Sequence, residues 1–159
     1  MIRGLGIALA GLVVLADQLS KGWIVGYLAE PSRGGTEPLA SFFNLVFVRN
    51  RGVSFGLFNG DSPANAMLFS LVAAVVVVAL MIWLWRTQSL LVGIALGLVA
   101  GGAVGNVIDR LRFGAVTDFL DFHWREWHFP AFNLADSAIT VGVGLLVIDG
   151  LLSRRESRN

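Results

Sequence analysis

Long apolar runs separated by short polar breaks dominate the chain, and they predict four helices. A helix rises about 1.5 Å per residue and a hydrocarbon layer is about 30 Å thick, so about 20 apolar residues cross it. Runs of that length occupy residues 4–24, 66–85, 88–108 and 131–152. The middle two hold no ionisable side chain. Asp17 and Lys21 interrupt the first, and the last carries Asp136 near its start and Asp149 near its end. The link at 25–65 is far longer than a helical hairpin needs, so it is expected to have structure of its own. Pro31, Gly34, Gly35 and Pro38 punctuate its beginning. Residues 42–58 are rich in Phe and Val, with Asn50-Arg51-Gly52 as a turn between two short strands, which predicts a small β-hairpin at the membrane surface. The second link, 109–130, ends in aromatic and charged residues from Phe122 to Phe129 that suit the headgroup layer, so it is expected to lie on the membrane.

Composition sharpens this picture. Of the 159 residues, 55% are hydrophobic and only 14% charged, and the mean hydropathy is +0.72, too apolar for a soluble domain of this size. A single integral membrane domain over 1–159 is expected. The net charge of +1 and the lack of any Lys/Arg block exclude a nucleic-acid arm. No cysteine is present, which removes disulfides, thiol nucleophiles and thiolate metal sites and leaves the redox compartment open. Arg3 ahead of an apolar run resembles a secretory signal, but the Asp17/Lys21 pair follows it in place of a small-residue cleavage site. It therefore reads as a retained first helix. Four spans put both termini on one side. Arg3, Arg86, Arg154, Arg155 and Arg158 are dense on that side's short flanks, which places the termini in the cytoplasm and both links outside.

Within the third run Gly93, Gly97, Gly101 and Gly105 recur every four residues, widened by Gly102, and mark a close-packed helix seam. The seam leads to Asn106, Asp109 and Arg110 on one side of the helix end. Asp17 and Lys21 stand at i, i+4 with the acid first, the favourable order for an ion pair. Charged groups at this depth need partners, so they are expected to pair with each other or with the polar end of the third helix, in an architectural or substrate-orienting role.

Asp118 and Asp136 carry the candidate chemistry. Each alone has a plain explanation: Asp118 as a loop acid, and Asp136 as the far half of a capping box begun by Asn133. Together they flank the return of the chain to the membrane. Two carboxylates meeting there repel each other and lose solvation, which leaves one ionised and one protonated near neutral pH. The ionised member takes a proton from water while the other hydrogen-bonds a peptide carbonyl, the requirements of peptide hydrolysis without a covalent intermediate. Ser54, Ser70 and Ser137 lack a His or Lys base at a familiar spacing. His123 and His128, five apart, read as interfacial, and neither they nor Asp121 demand a metal. No metal or cofactor is expected. The rival reading is a non-enzymatic membrane carrier or assembly factor that uses Asp17, Asp118 and Asp136 for proton relay or partner binding.

Five blocks, Asp17-Gln18-Leu19-Ser20-Lys21, Asn50-Arg51-Gly52-Val53-Ser54-Phe55, Gly101 to Arg110, Val116-Thr117-Asp118-Phe119 and Phe132-Asn133-Leu134-Ala135-Asp136, together resemble those of bacterial lipoprotein signal peptidase, or signal peptidase II. The resemblance covers nearly the whole chain. It implies a mainly α membrane protein, with four transmembrane helices, a small extracytoplasmic β-sheet (a β-cradle) from the first link and a short surface helix from the second. It also implies an intramembrane aspartic endopeptidase of the bacterial inner membrane, a monomer with its site towards the outer face. The implied substrate is a prolipoprotein signal-peptide helix, cut before a diacylglyceryl-modified cysteine, with membrane lipids around it. By this likeness Asp118 and Asp136 form the dyad, and Asn106, Arg110 and Asn133 hold substrate or support the dyad. Asn50 and Gly52 fall in the surface-sheet block, and Asp17 and Lys21 at a supporting position. Arg51 departs from the smaller or polar residue also familiar there.

Overall fold

The computed structural model describes residues 1–29, 34–51 and 63–156. Four helices, α1 (Ile2–Leu28), α2 (Pro63–Arg86), α3 (Leu90–Phe113) and α4 (Leu134–Glu156), are long and apolar enough to cross a membrane. Four strands, β1 (Thr36–Ala40), β2 (Phe43–Asn50), β3 (Val116–Trp124) and β4 (Trp127–His128), form an antiparallel sheet in the order β1-β2-β3-β4. The predicted runs are therefore all helices, each running a few residues past at least one expected end.

α3 is the central helix. Two-thirds of its most apolar window (67%) is buried, against 11–17% in the other three, because it packs against α1, α2 and α4. The glycine seam makes this possible. A Cβ on Gly97 or Gly101 would run into the α1 backbone at Gly6 or Ala10, and one on Gly102 into the α4 backbone at Ala135. With no Cβ in the way, van der Waals contact replaces a hydrophobic drive that lipid cannot supply. α1 turns its buried stripe, Gly6, Val13, Asp17, Lys21, Ile24 and Leu28, towards this centre. Its exposed side carries Leu5, Leu12, Leu15, Leu19 and Trp23. The polar pair thus faces inward and the apolar side faces lipid, the reverse of a soluble helix.

The sheet sits at the end of the bundle where α1 and α3 finish. Gly114, left-handed at φ 69°, ends α3, and β3 starts two residues later. Ile24 and Leu28 of α1 pack with Leu45 and Phe119, and this small core fastens the sheet to the bundle. A bulge between Leu45 and Val48 adjusts β2 against β3.

One expectation needs correction. The second link forms no surface helix: 116–124 is a strand that pairs with β2 and turns tightly into β4. Its β-branched and aromatic residues favour a pleated surface, and the free edge of β2 supplies partners for its backbone. In the first link, β2 pairs with the preceding β1 and with β3. Gly52, and the return strand expected from 53–58, lie outside the described residues.

Candidate active site

Three backbone bonds bring the two aspartates together. Phe119 N and Leu120 N both donate to Phe132 O, at 3.0 and 2.8 Å, and Phe132 N donates back to Leu120 O at 3.1 Å. β3 is thereby clamped to the segment that leads into α4, which sets Asp118 beside Asn133. Asn133, fully buried, serves both acids. Its side-chain amide donates to Asp118 Oδ1 at 2.7 Å, while its backbone N–H donates to Asp136 Oδ2 at 3.2 Å. Its Oδ1 accepts from Asp136 N at 2.9 Å, completing the capping box read from the sequence. The cap and the site are one structure.

Each carboxylate has a second donor. Asn50, at the end of β2, donates to Asp118 Oδ2 at 2.9 Å, and Asn106 of α3 donates to Asp136 Oδ1 at 2.8 Å. Asp118 is 2% exposed and Asp136 half-buried. Burial pushes the Asp118 carboxyl up to about 6, helped by the neighbouring charge of Asp136 and opposed by the amides of Asn50 and Asn133. Asp118 thus keeps its proton at a pH where an ordinary carboxyl has lost it.

Below this pair lies a buried ionic cluster. Lys21 Nζ reaches Asp17 Oδ2 at 2.9 Å, Asn106 Oδ1 at 3.0 Å and Asp109 Oδ2 at 3.4 Å. The expected pairing occurs both within α1 and to the end of α3. Asp109 Oδ2 also accepts from Thr117 N at 2.8 Å, so α3 holds the start of β3. Arg110 turns another way, its guanidinium 5.8 Å from the ring centre of Phe69 on α2.

Gln18 and Arg49 had no individual role assigned from the sequence. Gln18 donates to Asp17 Oδ2, Gly105 O and Asp109 Oδ1 at 3.0–3.2 Å, and its signal was an amide on an apolar helix beside Asp17. Arg49 donates to Thr117 Oγ1 at 3.0 Å and lies 4.5 Å from the ring centre of Phe113, tying β2 to β3 and α3. No sequence spacing announced that contact. His123 and His128 stack at 4.9 Å, and His128 Nδ1 meets Asp121 at 2.9 Å, on the hairpin and apart from the aspartate pair. His128 together with Asn44 draws the Asp121 carboxyl below its ordinary range, although burial pushes the other way. Among the described residues no three acids or histidines converge as a metal site.

α2 and α4 both pack on α3 but scarcely touch each other. A groove of about 630 Å³ runs between α4 and residues 129–132, walled by Phe129, Phe132, Ile139 and Val141, with Asp136 as its acid.

A family model described as Signal peptidase (SPase) II matches residues 9–152, nearly the whole chain. This chain belongs to the signal peptidase II family. Curated relatives described as "Lipoprotein signal peptidase" include one from Shewanella loihica, 46% identical over 91% of this chain and 85% of the relative. One from Burkholderia cenocepacia is 48% identical over 97% and 90%, and one from Rhodopseudomonas palustris 44% over 93% and 92%. Two solved structures, both described as bacterial membrane enzymes, superpose at TM-scores of 0.80 and 0.77. Their identities are 31% and 32%, and they cover 98% and 93% of this chain and 92% and 93% of theirs. Membership makes the chain an aspartic peptidase and a multi-pass bacterial membrane protein, which favours the enzymatic reading over the carrier.

Proposed function

We propose that Asp118 and Asp136 are the catalytic pair with which this signal peptidase II family member removes signal peptides from diacylglyceryl-modified prolipoproteins. The observation that carries this reading is Asn133, which hydrogen-bonds both carboxylates from one residue. Two acids so joined cannot both ionise freely, and one proton is shared. Asp118 holds that proton and donates it towards the scissile carbonyl oxygen. Asp136 takes a proton from a water as the water oxygen attacks the carbonyl carbon. The gem-diol collapses when the C–N bond breaks and the leaving amine takes the proton Asp136 acquired. Asp118 recovers its proton from the diol, and the pair is reset. No covalent enzyme intermediate forms.

The substrate helix enters sideways between α2 and α4, with its acyl chains in lipid, so recognition is largely apolar and tolerant of sequence. The peptide bond must leave the helix to meet water, which small residues before the modified cysteine make easier. Asn50 and Asn106 support the two acids, with Asn133 between them, and Arg110 stands towards α2, on the side from which the substrate comes. The termini lie in the cytoplasm, where Arg3 and Arg86 satisfy the orientation rule. The sheet and the aspartates then face the outer side of the bacterial inner membrane. A monomer suffices for this reaction, since both acids and their donors come from one chain.

Purified protein and a lipidated precursor in detergent test this directly. Asp118→Asn and Asp136→Asn should each abolish cleavage while folding and precursor binding persist; near-normal turnover by either variant would end the dyad reading.

A further inference from the structure

The ammonium of Lys21 has three protons and three oxygen partners, on Asp17, Asp109 and Asn106, and the side chain is almost completely buried. Every proton is committed, so the ammonium cannot turn away from any one of them. Two of its partners are carboxylates, so its one positive charge is shared between Asp17 and Asp109. The third is a neutral amide oxygen, and this amide separates the cation from Asp136.

An amide has an acceptor end and a donor end. Oδ1 of Asn106 takes the Lys21 proton at 3.0 Å and a second from Asn133 Nδ2 at 3.2 Å, while its Nδ2 donates to Asp136 Oδ1 at 2.8 Å. A half-turn of this amide would set N–H groups against an ammonium and an oxygen against a carboxylate, exchanging attractive contacts for repulsive ones. Only one orientation survives while Lys21 is charged. Asn133 is locked by the same chain, because its Nδ2 donates to both Asn106 Oδ1 and Asp118 Oδ1.

We infer that Lys21 is a positioning residue: acting through the amide of Asn106, it fixes which oxygens of the aspartate pair receive hydrogen bonds and so where the shared proton sits. The inference rests on the dyad reading above. Burial is the main force on the Asp118 carboxyl, and the positive charge of Lys21 is among the weaker ones opposing it. Removing that charge therefore makes the pair harder to ionise.

The experiment is a double-mutant cycle on the purified enzyme with lipidated precursor, using Lys21→Met and Asn106→Ala, with kcat, KM and the pH profile read for each. Lys21→Met should lower kcat on the order of 10²-fold with KM little changed, and should move the alkaline limb of the profile to higher pH. Adding Asn106→Ala should cost little more, because both substitutions release the same contact. If Lys21→Met leaves Asp17 and Asp109 too poorly compensated to fold, the cycle is run in an Asp17→Asn background, which removes the opposing charge as well. Full additivity of the two losses, or a folded Lys21→Met enzyme with unchanged kcat and limb, overturns the inference. Failure of the underlying reading looks different, since Asp118→Asn or Asp136→Asn would then remain active whatever Lys21 does.

Discussion

The backbone N–H of Ala135 donates to Oδ1 of Asp17 at 3.0 Å, so the first turn of α4 is capped by a side chain from α1. A helix start carries unsatisfied N–H groups and partial positive charge, and a carboxylate answers both. Asp17 thereby holds in place the turn that presents Asp136. Asp17→Ala should leave this N–H and the Lys21 ammonium short of partners, with a loss of about 3–5 kcal/mol. Asp17→Asn retains an acceptor for Ala135 and should lose less. Thermal unfolding in detergent checks the order, which would fail if both variants melted with the wild type.

Gly102 and Gly105 are the close-packed glycines of the seam that touch α4 and Asp17. A Cβ on Gly105 would press on the Asp17 carboxylate, and one on Gly102 on the α4 backbone at Ala135. Gly102→Ala and Gly105→Ala should each destabilise by about 1–3 kcal/mol and reduce turnover, because α4 or Asp17 must move. Gly11→Ala and Gly144→Ala meet nothing within 4 Å and serve as controls that stay near wild-type stability.

Asp118 predicts an inverted pH dependence of stability. Its carboxyl ordinarily titrates at 3.8 and here near 6, so between those values the folded protein binds more protons than the unfolded chain. Its contribution to stability therefore falls as pH rises from about 4 to about 6, by about 3 kcal/mol across the window. Asp118→Asn should flatten that slope in melting measured against pH. For catalysis, the alkaline limb of kcat/KM, which reports the free enzyme, should lie near pH 6, and that of kcat higher once bound substrate excludes water. Coincident limbs would contradict the desolvation argument.

Arg49 holds the sheet against α3 with a planar group, through Thr117 and the ring of Phe113. Arg49→Lys keeps the charge but loses the flat face and the forked donors, at about 1 kcal/mol. Because Thr117 precedes Asp118, the substitution should lower kcat modestly. Equal activity and melting for Arg49→Lys would show that charge alone suffices.

Much of this was legible from the chain before its fold. Four apolar runs declared four helices, because lipid demands length and hydrophobicity that can be read residue by residue. The glycine period declared the seam, and Asp17 with Lys21 declared a buried pair, since each depends on helical spacing alone. The Asn133–Asp136 cap was equally local. Residues 116–124, expected to lie on the membrane with a surface helix, became a strand instead. Their state was decided by β2, an edge more than 60 residues away in sequence. Only tertiary structure could decide that Asp118 and Asp136 share Asn133 as a hydrogen-bond partner, and that the cation of α1 is linked to them through Asn106. Those contacts depend on how β3, α1, α3 and α4 are set against one another, and no periodicity within a single segment records that arrangement.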